Sequence, residues 1–118
     1  MKYEVTVTNI GDFVLQLLKT RDSMIIFNKN VPYEYMNMVV AHTIGTIKSD
    51  IIVGDKLFIA DVEYDVTAVG DDAMSTLRDK GHCTLVFNGK NEVDQPGQIA
   101  IKGGMIPRVM VGDTIRFE

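Results

Sequence analysis

Apolar and polar positions alternate with a period of two from the start of the chain: Tyr3, Val5 and Val7 face one way, Glu4, Thr6 and Thr8 the other. That is the signature of a half-buried strand. The same pattern predicts strands at Met24–Phe27, Val39–Ile47, Lys56–Ala60, Tyr64–Val69, His82–Phe87, Gln98–Lys102 and Thr114–Phe117, most of them bounded by glycine, asparagine or aspartate. Two stretches switch to helical spacing. Phe13–Lys19 carries Phe13, Val14, Leu17 and Leu18 on one stripe behind Asp12 as a cap; Ala73–Lys80 carries Ala73, Met74 and Leu77 behind Asp71 or Asp72, with Gly81 as the stop. Asn88–Pro96 reads as a loop. Short, evenly spaced strands with two short helices predict an all-β (mainly β) protein, a small closed or partly open antiparallel β-barrel, in one domain over residues 1–118.

One echo runs through the pattern. Val53-Gly54-Asp55-Lys56-Leu57-Phe58 is matched by Val111-Gly112-Asp113-Thr114-Ile115-Arg116-Phe117, a Gly-Asp turn leading into a strand each time. Alone it signals recurrent turn chemistry and is too short to establish a duplication.

Composition narrows the function classes. With 46% hydrophobic and 24% charged residues, the 118-residue chain has material for a core and too little charge for disorder. Residues 1–59 carry six charges of each sign, whereas residues 60–118 carry six basic and ten acidic, a balance that repels phosphate backbones and argues against nucleic acid. A single cysteine, Cys83, excludes an internal disulfide, and no apolar run is long enough to span a bilayer, so a cytoplasmic home without membrane insertion is expected. No tryptophan is available as a sugar platform.

Candidate chemistry is sparse. The serines have no elbow motif around them, Cys83 alternates with Leu85 and Phe87 on a buried face, and two histidines with one cysteine make no zinc set, so neither a metal nor a cofactor is expected. His42 stands out. It lies in Met38-Val39-Val40-Ala41-His42-Thr43-Ile44-Gly45, inside an uncharged stretch, and an imidazole is the side chain best suited to passing a group near neutral pH. By pattern alone, both a satisfied core histidine and a reactive one fit. His82, directly after the Gly81 stop, fits a structural role at a helix end equally well.

Tyr64-Asp65-Val66-Thr67-Ala68-Val69-Gly70, then Leu77-Arg78-Asp79-Lys80-Gly81-His82-Cys83-Thr84-Leu85-Val86-Phe87-Asn88-Gly89, then Asn91-Glu92 and Pro96-Gly97 resemble the glucitol/sorbitol-specific enzyme IIA family of the bacterial sugar phosphotransferase system. The likeness runs from about Tyr3 to Phe117. It implies a phosphotransferase component working through a protein-phosphohistidine intermediate. Its partners would be the histidine-containing phosphocarrier protein as donor and the IIB/IIC permease units as acceptor, and a homo-oligomer is left open.

By position in the pattern the phosphorylated residue is His42. A relay between two partners requires both to reach the same atom, so His42 is expected to be exposed within a docking patch of Val39, Val40, Ala41 and Ile44, rimmed by Lys48 and Thr43. Thr43 would hydrogen-bond the phosphoryl group, and His82 is a candidate helper. Relatives with a second histidine two positions after the reactive one differ from this chain, which has Ile44 there. The competing reading is a non-catalytic β-barrel adaptor that binds a permease or another protein through the same patch.

Overall fold

A computed structural model describes residues 1–118. The alternating segments form eight strands: β1 (Tyr3–Ile10), β2 (Ser23–Asn28), β3 (Val39–His42), β4 (Lys56–Ile59), β5 (Val62–Val69), β6 (Cys83–Val86), β7 (Gln98–Lys102) and β8 (Thr114–Phe117). They close into a barrel in the ring order β1-β3-β2-β6-β7-β5-β4-β8. Closure leaves no sheet edge. Six ladders are antiparallel; β2 with β3 and β6 with β7 run parallel, an arrangement that alternation along a single strand does not encode.

Two helices cross over the barrel, α1 (Val14–Arg21) and α2 (Ala73–Lys80). Asp12 is not the cap of α1, and the Asp72 side chain makes no capping hydrogen bond. The helix entrances are tied instead by backbone bonds, Phe13 N–H to the Asn37 carbonyl and Asp72 N–H to the Pro96 carbonyl, both 2.9 Å. A further element escaped the sequence pattern, a 3-10 helix at Tyr33–Met38 with no buried residue. None of its side chains is buried, and six residues are too few for a helical period to show in the sequence.

The ring has an internal twofold. Val7, Asn9 and Ile10 of β1 pair with His42, Ala41 and Val40 of β3; 59 positions later, Val66, Ala68 and Val69 of β5 pair with Ile101, Ala100 and Ile99 of β7, with the register shift at the same step. The parallel ladders repeat too, Ile25 with Val39 and Thr84 with Gln98. So do the turn bonds: Ile52 N–H to Asp55 Oδ2 at 2.9 Å and Met110 N–H to Asp113 Oδ2 at 2.8 Å. The Gly-Asp echo in the sequence is thus the visible remnant of two βαβββ halves, and positions of one half can be read against the other.

Apolar residues of both halves fill the barrel, from Tyr3, Val5 and Val7 through Ile26 and Val40 to Leu85, Ile99 and Phe117. Cys83 sits among them with its thiol free. Burial pushes that thiol well above its ordinary proton affinity, which leaves it uncharged and inert.

Candidate functional site

β3 carries His42 at its last position, and all four of its residues are buried. Val40 and His42 alternate onto the inward face, while Val39 and Ala41 point outward and are buried as well. His42 is 0% exposed. The expected exposed histidine in a patch of Val39, Val40 and Ala41 is therefore corrected: β3 lies between β1 and β2 in the ring and both its faces are covered. Of the expected docking residues only Ile44 and Lys48 reach solvent, because the chain leaves the sheet at Thr43.

Both ring nitrogens of His42 meet backbone carbonyls, Nδ1 the Thr43 oxygen at 2.7 Å and Nε2 the Gly81 oxygen at 2.8 Å. A neutral imidazole has one N–H and a lone pair on the other nitrogen, so it satisfies only one of two carbonyls; the doubly protonated ring satisfies both. Tyr3 stands edge-on to the ring, centroids 6.4 Å apart at 89°. Its hydroxyl is buried without a hydrogen-bond partner, and burial, then the neighbouring Cys83, push its proton affinity up to about 12.

Thr43 contributes differently from expectation. Its carbonyl reaches the imidazole, whereas its hydroxyl oxygen accepts the Thr6 N–H at 3.0 Å and closes the strand end onto β1. His82 is also displaced from the expected part. Its ring stacks on Phe27 at 4.9 Å and 30°, and burial, then Lys80, lower its proton affinity. The group that the second half delivers to His42 is the carbonyl of the residue before, Gly81.

Gly81 ends α2 in the left-handed region, φ 60 and ψ 27, where its own N–H bonds Leu77 and the His82 N–H bonds the Thr76 carbonyl. A Cβ on Gly81 would lie 2.6 Å from His42 Cε1 and 3.1 Å from Nε2 and from the Asn28 Cβ. The twofold supplies a control. Asp22 occupies the matching end of α1 with φ 52 and ψ 25, so this cap tolerates a side chain where no histidine lies beneath it. The sequence showed Gly81 only as a helix stop. Its second role follows from which strand passes under the cap.

Around Gly81 the twofold is broken. The β2–β6 ladder pairs Ser23 with Val86 through to Ile26 with Cys83 and stops before the symmetric partner step, Phe27 with His82. At the other end Phe87 N–H bonds the Asp22 carbonyl at 2.7 Å; here the matching Gly81 carbonyl turns to His42. The β2–β6 seam is one pair shorter beside the imidazole.

Comparison with known proteins shows the family. Residues 2–116 match the family described as the PTS system glucitol/sorbitol-specific IIA component, PTS being the phosphotransferase system. The chain is 32% identical over 117 residues to the PTS system glucitol/sorbitol-specific EIIA component of Escherichia coli strain K12, covering 98% of this chain and 94% of that one. The same figures hold for the protein of that name from Shigella flexneri. The chain belongs to this IIA family. Membership gives it a phosphotransfer role in a sugar phosphotransferase system. The fold is shared with the PTS system IIA component from Enterococcus faecalis V583, at a TM-score of 0.82 and 22% identity over 97% of this chain and 98% of that one. No helix of this IIA chain is long and apolar enough to cross a membrane.

Proposed function

We propose that His42 is the residue through which this chain carries a phosphoryl group. It would take the group from the phosphohistidine of the histidine-containing phosphocarrier protein and pass it to the IIB unit of a glucitol/sorbitol-type permease, working in the cytoplasm. Support comes from one observation above all: in a chain of this family, the buried His42 ring is clasped between two carbonyls, one of them on a helix cap that only glycine fits.

The chemistry follows from the clasp. Phosphoryl chemistry needs an uncharged imidazole, and the uncharged ring has one N–H for two carbonyls, so one contact is released. The Thr43 contact is local, one residue along the chain, and persists with Nδ1–H donating. Gly81 is the partner that moves, freeing the Nε2 lone pair. Nε2 then bonds phosphorus as the donor's N–P bond breaks, the bonding pair returns to the donor imidazole, and no proton need be gained or lost. The group brings roughly 1.5 to 2 negative charges. Lys80, beside the cap, is the nearest side chain in sequence that offsets them.

Incubation with phosphoenolpyruvate, enzyme I and the phosphocarrier should place one acid-labile, base-stable phosphate per chain, and mapping under alkaline conditions should find it on His42. His42→Gln, checked for folding by circular dichroism, should take none. Label on His82 instead, or undiminished label in the variant, would sink the proposal. A chain that binds its partners and never labels would be the adaptor of the competing reading.

A further inference from the structure

The 3-10 helix and the residues leading to it form a surface that the twofold lets one judge against its counterpart. Between β2 and β3 the chain runs Lys29-Asn30-Val31-Pro32-Tyr33-Glu34-Tyr35-Met36-Asn37-Met38; 59 positions later the matching run is Asn88-Gly89-Lys90-Asn91-Glu92-Val93-Asp94-Gln95-Pro96-Gly97. The first exposes Tyr33, Tyr35, Met36 and Met38, with Tyr33 88% exposed. The second offers Glu92 and Asp94 and no aromatic or methionine. The helix entrances differ at one step: exposed Phe13 stands where the second half has Asp72. Folding treats the two surfaces alike, so the barrel does not require these exposed rings and thioethers.

Two of them, Tyr35 and Met38, face the Lys80 and His82 side. A groove of about 550 Å³ runs between Tyr35, Met38 and Pro32 on one wall and Lys80 and His82 on the other, with Val39 and Phe27 in its lining. A second groove continues it past Asn28 and Asn30, sharing Phe27, Pro32 and Lys80 and adding Asp79. Asn28 and Gly81 are the residues that close over the Nε2 edge of His42. The second groove thus reaches Asn28, the β2 ladder partner of His42, and Lys80, the residue before Gly81, while the buried imidazole itself lines neither groove.

Resting on the assignment of His42 above, we propose that this face is where the phosphohistidine-bearing surface of the donor carrier docks. The aromatic and methionine side chains of the 3-10 helix make the apolar contact, and the donor's phosphoimidazole enters the groove past Lys80. Charge favours this occupant: the first groove has Lys80 and His82 in its lining and no carboxylate, while the matching loop 88–97 sets Glu92 and Asp94 against Lys90 and repels a phosphorylated ring. Tyrosine and methionine also suit a surface that must release one partner and accept another, because they give contact area with adaptable shape.

The test uses the full chain with purified phosphocarrier and separates docking from chemistry. A Tyr35→Ser/Met36→Ser variant should lose at least about tenfold in kcat/KM for phosphoryl transfer from the carrier, almost wholly through KM, with the saturated rate within about twofold of wild type. A Glu92→Ser/Asp94→Ser variant on the matching face should transfer as wild type does. A wild-type chain that takes no label on His42 would overturn the carrier assignment and this inference with it. Labelled wild type together with an unimpaired Tyr35/Met36 variant, or equal losses from both faces, overturns the docking face alone.

Discussion

Replacing Gly81 with alanine is the sharpest probe of how the two halves meet. The added Cβ has two separable costs. Holding a non-glycine residue at φ 60 costs about 1–2 kcal/mol in the left-handed region. Placing a carbon 2.6 Å from His42 Cε1, where ordinary carbon contacts are about 3.5–4.0 Å, forces the ring or the cap back by about 1 Å and adds an overpacking cost of about 1–3 kcal/mol. Gly81→Ala should therefore lose about 2–5 kcal/mol in urea unfolding followed by circular dichroism. In a His42→Ala background the severe clash is gone, only the milder 3.1 Å approach to the Asn28 Cβ remains, and the same change should cost little more than the backbone part, leaving a coupling of about 1–3 kcal/mol. Asp22→Gly, the mirror experiment at the cap with φ 52 and no imidazole beneath it, should gain no more than about 1 kcal/mol. If Gly81→Ala cost the same with and without the imidazole, the cap would be an ordinary helix stop and the reasoning about the clasp would fail.

Two further outcomes are expected. Cys83, 1% exposed and with its thiol held protonated by burial, should resist a thiol-reactive dye in the native protein and react once on unfolding; native labelling at the rate of a free thiol would contradict its place in the barrel. His82 binds its proton less readily folded than its ordinary value of 6.5 implies, through burial and then Lys80. Its contribution to stability is therefore complete above about pH 6.5 and is lost as the pH falls through the folded value. Between about pH 7.5 and 5.5 the urea midpoint of wild type should drop further than that of His82→Phe, and equal drops would refute it.

Much of the fold could be read from residue order because the physics was local. β7 at Gln98–Lys102, β8 at Thr114–Phe117 and α2 at Ala73–Lys80 fall where alternation and helical spacing predict them. The errors came where a neighbour decided the outcome. Val39–Ile47 was expected as one strand, yet the sheet ends at His42 because the next residue closes onto Thr6. His82 was expected to begin a strand, but its N–H completes the α2 cap and the strand begins at Cys83. The exposure of His42 could not be read from an uncharged run, since Val39-Val40-Ala41 fits a docking patch and a doubly covered central strand equally well. Gly81 was legible as a stop, while its contact with a residue 39 positions away was not.

The twofold bears on how such a site could arise. Two copies of a half-length chain closing the same ring would be an isologous homodimer, and each symmetric site would draw its histidine from one copy and its cap from the other. Every copy would then need both a histidine at the end of β3 and a glycine at the end of its helix. Joining the halves in one polypeptide lifts that requirement: His42 keeps its counterpart Ile101, Gly81 keeps its counterpart Asp22, and the unused mirror site is filled with ordinary core and cap residues. With His42 as the proposed carrier, the barrel would hold one reactive imidazole instead of two, and the stoichiometry of its phosphate would be built into the asymmetry of the fused chain.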